Sequence, residues 1–283
     1  MKTRKFISIL AIAALLIATA CSDDENKEDT APILPPEESL IPDFSAFTDN
    51  PAMAEQLKSS NAEFISNYNV ARINVLVWNT YINIILAVPV AAYRHSFTQS
   101  PVYLGNKKWQ WSYSLGGFFS DYSARLTGEI RTSDIKWEMR VSYSGAEPYN
   151  DFLWFEGTSD LDGSGGSWAM NHSYDFNEPM LTLDWEATDD LINDTRITYV
   201  RELDNDRETE LGYGSYLGYG VNSTDNVYFY NVHVYDDNTQ QFEDLNIEMN
   251  RTDLSGRIKA TNWINNKTGW HCWDSNFDDV DCE

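Results

Sequence analysis

Basic residues are scarce in this chain. Lysine and arginine number 20 against 44 aspartates and glutamates, for a formal net charge of −24. Nucleic acid needs a basic footprint that releases its counterions, so it is excluded as a partner, and anionic headgroups are disfavoured on the same ground. Histidine is scarcer still: His95, His172, His233 and His271 are scattered, with no H-x-x-H or H-E-x-x-H spacing. No glycine-flanked serine elbow occurs either, so metallohydrolase and serine-hydrolase chemistry lack sequence support and no catalytic residue is assigned. The three cysteines, Cys21, Cys272 and Cys282, form no C-x-x-C pair, which argues against a zinc site.

Long apolar runs are few. Residues 6–20 are uncharged and follow Lys2, Arg4 and Lys5, so a basic n-region precedes an apolar h-region, the pattern of a secretory signal peptide. About fifteen residues fall short of the roughly 20 that cross a hydrocarbon core. The run ends in small residues, Ala18 and Ala20, directly before Cys21, and the acidic stretch Ser22, Asp23, Asp24, Glu25 follows. Here the chain resembles bacterial lipoproteins, whose lipobox ends in a cysteine that is lipidated and becomes the mature N-terminus. The acidic stretch resembles the signal by which Bacteroidota, flavobacteria especially, send lipoproteins to the outer face of the outer membrane. The resemblance implies a signal peptide over 1–20, a diacylglycerol on Cys21, and anchorage in the outer membrane facing the cell exterior. An ordinary signal peptide beside a free thiol, and a merely solvated acidic tail, are the alternatives. Loss of residues 1–20 leaves 17 basic residues against 44 acidic ones, a formal charge of −27.

Residues 21–43 carry Pro32, Pro35, Pro36 and Pro42 among acidic side chains, a composition that reads as an extended linker. A single domain is expected over 44–283, with helices at about 50–95. Asp49 or Asn50 before Pro51 signals a helix start, with a break near Asn67 and Asn69. A second helix over 70–88 should stop at Pro89. Asn69, Arg72, Asn79 and Asn83 share a narrow stripe of that helix and nearly everything else on it is apolar, so enclosure on most sides is expected. Residues 73–93 hold no charge, but Asn74, Asn79, Thr80, Asn83 and Pro89 interrupt the run. A helix packed against, or inside, a curved sheet fits better than a membrane span.

From Trp109 onward the apolar period is two. Tyr122, Ala124, Leu126, Gly128 and Ile130 alternate with polar residues, as do Ile135, Trp137, Met139, Val141 and Tyr143. A turn over 131–134 sets Ile130 against Ile135, Gly128 against Trp137, Leu126 against Met139 and Ala124 against Val141, keeping the apolar set on one face. Further strands are expected around 152–156, 168–174, 180–186, 196–201, 216–221, 227–235, 245–250 and 257–263. The fold class is therefore mainly β, an antiparallel meander of about eleven strands forming a curved half-barrel or a barrel, with the N-terminal helical segment packed against it. The element order resembles the half-barrels of periplasmic lipoprotein carriers and, less closely, lipocalins. The proline-rich linker and the ending Trp270-His271-Cys272-Trp273 resemble flavobacterial surface lipoproteins.

Candidate sites are sparse. Cys272 and Cys282 form an even pair in an oxidising compartment and predict a disulfide that closes the C-terminus. Asp160, Asp162 and Ser164 place oxygens at alternate positions, as calcium loops do, but lack a distal glutamate; a glycine-rich hairpin loop is the simpler reading, and no cofactor other than calcium is suggested. Asp184 and Glu186 point the same way on a strand, on the side where solvent is expected. Tyr216, Tyr228 and Tyr230 lie among glycines on the phase assigned to the open face, where rings with hydroxyl tips suit a sugar or an apolar ligand. These features suggest a non-catalytic binding or carrier module for an apolar or glycan ligand or an envelope partner, with an aromatic-lined cavity between helix and sheet. A structural envelope protein without a small-molecule site and a glycan-active hydrolase are the alternatives.

Overall fold

A computed structural model describes residues 30–41, 45–48, 66–119, 121–188, 191–201, 212–261 and 269–282. The signal segment, Cys21 and the expected helix start at Pro51 lie outside the described residues.

Period-two patterning builds one antiparallel sheet in strict sequence order. Its first half comprises β1 (Val102–Gly105), β2 (Lys108–Ser114), β3 (Tyr122–Ile130), β4 (Asp134–Tyr143), β5 (Tyr149–Asp160), β6 (Gly165–Asn171) and β7 (Pro179–Thr188). The second half comprises β8 (Leu191–Tyr199), β9 (Tyr216–Asn222), β10 (Val227–Asp236), β11 (Gln241–Asn250), β12 (Gly256–Ala260), β13 (His271–Trp273) and β14 (Asp279–Val280). Among the described residues the sheet is open: each strand pairs only with its sequence neighbours, and β1 and β14 are its edges, so the closed-barrel alternative is corrected. Fourteen strands among the described residues replace the expected eleven or so, because β1, β13 and β14 are too short to show alternation.

The β3–β4 register matches the expectation pair for pair, from Ala124 opposite Val141 to Ile130 opposite Ile135. Gly128 is required there: a β-carbon on it would lie 2.6 Å from the Trp137 ring. That ring is wholly buried, and its Nε1–H donates to Ser159 Oγ at 2.9 Å. The inner face of the sheet carries a layer of large side chains, with Trp111, Trp137, Phe155, Trp168, Trp185 and Trp273 all buried.

The helical segment lies on this face. Among the described residues it comprises the single turn α1 (Ser45–Thr48), α2 (Asn67–Ile85) and α3 (Ala87–Ser96), with α2 and α3 bent by 73°. Ser66 caps α2 by accepting from Asn69 N–H, and Asp279 Oδ1 accepts from Asn67 N–H at 2.8 Å, placing a carboxylate at the positive helix end. Pro89, expected to stop a helix, instead sits in the first turn of α3, where its missing N–H costs no bond within that helix. Enclosure of α2 is also less than expected: Tyr68, Ala71, Val75 and Ile82 are buried while Ile73, Val77, Tyr81 and Ile84 are exposed. Tyr68 packs on Trp273 and Phe277. At the other end Tyr113 on β2 donates its hydroxyl proton to Ala92 O of α3.

Residues 31–41, expected to be extended linker, are docked instead. Leu40 and Ser39 are fully buried, Trp168 Nε1–H donates to Ser39 Oγ, and Tyr93 donates its hydroxyl proton to Pro35 O at 2.6 Å. Glu37–Ser39 close a short 3-10 turn, and isolated apolar residues and free carbonyls fasten the rest of the segment.

Candidate functional site: a tyrosine trough at the end of β3, β4 and β5

The β3–β4 ladder that sets Ala124 opposite Val141 continues one inward step to Tyr122 opposite Tyr143, and β5 adds Tyr149 opposite Tyr143. These rings lie at the strand ends, beyond the tryptophan layer. Tyr122 and Tyr143 have centroids 4.6 Å apart, Tyr143 and Tyr149 5.8 Å apart. Tyr174, from the β6–β7 connection, stacks on Tyr149 at 5.1 Å with ring planes 12° apart. Register irregularities on β5 near Val141 and Tyr143, with Asp151 at φ 57°, turn its end so that neighbouring side chains of different phase reach one opening.

The four tyrosines line a cavity of about 760 Å³ with Ser114, Asp121, Ser123, Ser142, Ser144 and Asn150. Ser142 is set by its own bonds, donating to Asn150 Oδ1 at 2.8 Å and accepting from Asp151 N–H at 3.0 Å. An adjoining cavity of about 560 Å³ shares Ser123, Ser142 and Asn150 and adds Arg125 and Arg140, both paired with Asp151. Burial, then the neighbouring phenols, push the Tyr149 hydroxyl well above its ordinary value; burial, then Tyr143 and Asp121, raise that of Tyr122. Both remain uncharged hydrogen-bond donors at neutral pH.

The trough can hold a neutral molecule of a few rings. Its volume falls in the range of small-ligand sites, and its lining pairs flat apolar faces with hydroxyl and amide groups. Among the described residues no group of three histidine, cysteine, aspartate or glutamate side chains is placed to hold a metal.

The sequence-predicted tyrosines do not form this site, nor any common one. Tyr230 is fully buried opposite Tyr219 and Ile247, and Tyr228 shares its inward phase, with Phe47 of α1 packed on both. Tyr216 alone faces outward, between the Arg196 guanidinium and the His233 ring. The phase was misread because aromatic residues and glycines fall on both phases of β9 and β10, as at Tyr216 and Tyr219 or Phe229 and Tyr230, which blurs the alternation. Asp160 and Asp162 flank the β5–β6 turn, and both accept from Ser164; these bonds hold the Asp162 carboxyl below its usual value. Asp184 and Glu186 are exposed on the outer face, opposite Arg196 and Asp194. Cys272 and Cys282 form the expected disulfide, Cα–Cα 5.3 Å, and Cys272 O accepts from the Asn67 side chain.

Neither trough cavity lies in the space expected between helix and sheet. Val75, Ile82, Leu86 and Tyr93 are buried in that space, and no helical residue lines either cavity at the trough. Sequence reasoning placed Tyr122 and Tyr143 in the core phase, correctly, but missed that they fall past its end. The signal was their position at the ends of the alternating runs, Tyr143 directly before Ser144-Gly145 and Tyr122 directly after Asp121, where strand gives way to loop.

No protein-family model, curated protein or solved structure matches the chain.

Proposed function

We propose that this protein is a lipid-anchored, non-catalytic binding module on the outer face of the outer membrane, and that the Tyr122–Tyr143–Tyr149–Tyr174 trough takes a neutral glycan. The observation that carries the reading is the pairing of four tyrosine rings with a rim of serine and asparagine in a cavity of about 760 Å³. Sugar rings offer C–H faces to aromatic rings and hydroxyls to such a rim. The strong negative charge disfavours acidic glycans. Lipidation at Cys21 rests on the lipobox-like spacing and on the acidic residues after it.

A half-barrel form of the open sheet is supported by reach. The helix pair spans about 35 Å end to end at 1.5 Å per residue with its 73° bend, yet touches β13 at one end and β2 at the other. Those strands lie about 53 Å apart in a flat sheet at about 4.8 Å spacing, so the sheet bends around the helices.

The test is a neutral-glycan array followed by calorimetry on the full mature chain. Tyr149→Ala and Tyr174→Ala should each weaken the best binder about tenfold, the loss of one aromatic contact. Unchanged affinity in both variants refutes the trough. Cys21→Ser should release the protein from the membrane fraction; unchanged retention refutes the anchor. A role in an envelope assembly is the second reading, favoured by β1, an edge strand whose Val102, Tyr103 and Leu104 are all exposed.

A further inference from the structure

The exposed side of α2 matches neither its buried side nor an ordinary solvated helix face. Ile73, Val77, Tyr81 and Ile84 are 51%, 60%, 56% and 71% exposed. At 100° per residue they occupy a sector of about 80°, opposite the one formed by Ala71, Val75 and Ile82. The stripe runs for about 16 Å along the helix. No charged residue occurs anywhere in 73–93.

The polar side chains beside the stripe have turned their donors inward. Asn74 Nδ2 donates to Val70 O, Thr80 Oγ1 to Leu76 O and Asn83 Nδ2 to Asn79 O, each at 2.8 Å. Such bonds also form on helices in water. In a medium without hydrogen-bonding partners they are what make these groups tolerable. Trp78 and Tyr81 form an edge-to-face pair on the flank, the ring type that settles at a membrane interface.

From this geometry we infer that the exposed stripe of α2 lies in the interfacial layer of a lipid surface, parallel to its plane. The helix does not cross: no single described helix is long and apolar enough to span a membrane, and one side of α2 is committed to the sheet. The lipid is zwitterionic at the point of contact, because the stripe offers no cation and a mature chain of formal charge −27 is repelled by anionic headgroups. The same charge opposes a second copy of the chain as the occupant. The inference rests on the lipid-anchor reading only for delivery to the membrane; the contact itself is a property of α2.

The test separates the two. Ile84→Cys and Val77→Cys are each made in the Cys21→Ser chain, carry a nitroxide on the new thiol, and are mixed with phosphatidylcholine vesicles. A label at Ile33, 83% exposed and on another segment, is the aqueous control. The expected result is vesicle binding, with the α2 labels gaining collisions with oxygen and losing them with a water-soluble nickel complex, while the label at 33 is unchanged. Ile84→Glu should reduce that binding about tenfold, the partition free energy of one large apolar side chain. Labels that stay as accessible to nickel as residue 33 overturn the inference, even where wild-type chain is membrane-bound through Cys21. Spin–spin broadening between copies, or labels immobile with and without vesicles, also overturns it, in favour of a second copy or of another segment of this chain.

Discussion

Gly128 is the position at which a single methyl group tests the core most directly. On an ordinary strand Gly→Ala stabilises by about 0.4–1 kcal/mol, because it restricts the unfolded chain. At Gly128 the new β-carbon meets Trp137 Cζ3 at 2.6 Å and Cε3 at 3.0 Å. The indole cannot withdraw cheaply: it is fully buried, bonded to Ser159 Oγ and packed on Trp111 at 5.9 Å. Overpacking of this kind costs about 1–3 kcal/mol, which outweighs the entropic gain and leaves Gly128→Ala less stable by about 1–2 kcal/mol. Gly218 on β9 supplies the internal control, since a β-carbon there meets nothing closer than 3.9 Å; Gly218→Ala should be neutral or stabilising. Urea titration followed by tryptophan fluorescence measures both. The Gly128→Ala midpoint should fall by roughly 0.5–1 M at unchanged slope. Adding Trp137→Leu should make the alanine harmless in a double-mutant cycle. A Gly128→Ala protein as stable as wild type, or a cycle with no coupling, refutes the Gly128–Trp137 packing.

Two further outcomes follow from the geometry. Opening the Cys272–Cys282 bridge, by reductant or Cys272→Ser, should cost about 2–3 kcal/mol for a loop this short and should loosen the start of α2, which Asp279 and Cys272 O hold; an unchanged melting temperature under reductant refutes the coupling. Asp194 lies on the outer face opposite Glu186, and partial desolvation of its carboxyl first, then Glu186 across the ladder, raise its pKa above 3.8, with Arg196 opposing. A carboxyl raised in the folded state favours folding at low pH and loses that contribution as pH rises through its folded pKa. Asp194→Asn should therefore raise the melting temperature at pH 7 and give no gain below about pH 3.8; a gain independent of pH refutes the assignment.

Much of the sheet was legible because alternation is a local property. Where polar and apolar residues strictly alternate, as on β3 and β4, register follows from keeping every large side chain on one face, and Gly128 opposite Trp137 marks it. Legibility failed on β9 and β10, where Tyr216 and Phe229 fall on the outward phase and Tyr219 and Tyr230 on the inward one, so that ring residues mark neither face. It failed again on β1, whose four residues are too few to show alternation and whose Val102, Tyr103 and Leu104 sit on an exposed edge. The same apolar continuity made α2 look enclosed.

By itself the sequence determined the mainly β meander, the β3–β4 register, the Cys272–Cys282 pairing and the acidic character of the surface. Each depends on residue type and on neighbours close along the chain. Only the tertiary structure decided that residues 31–41 dock, that Pro89 opens a helix rather than ending one, that Tyr230 is core while Tyr122, Tyr143, Tyr149 and Tyr174 converge, and that α2 keeps an apolar face uncovered. Those outcomes depend on where the packed layer stops. A strand pattern shows which side of a residue is apolar; whether another layer lies against that side depends on how far the sheet and the helices extend in space.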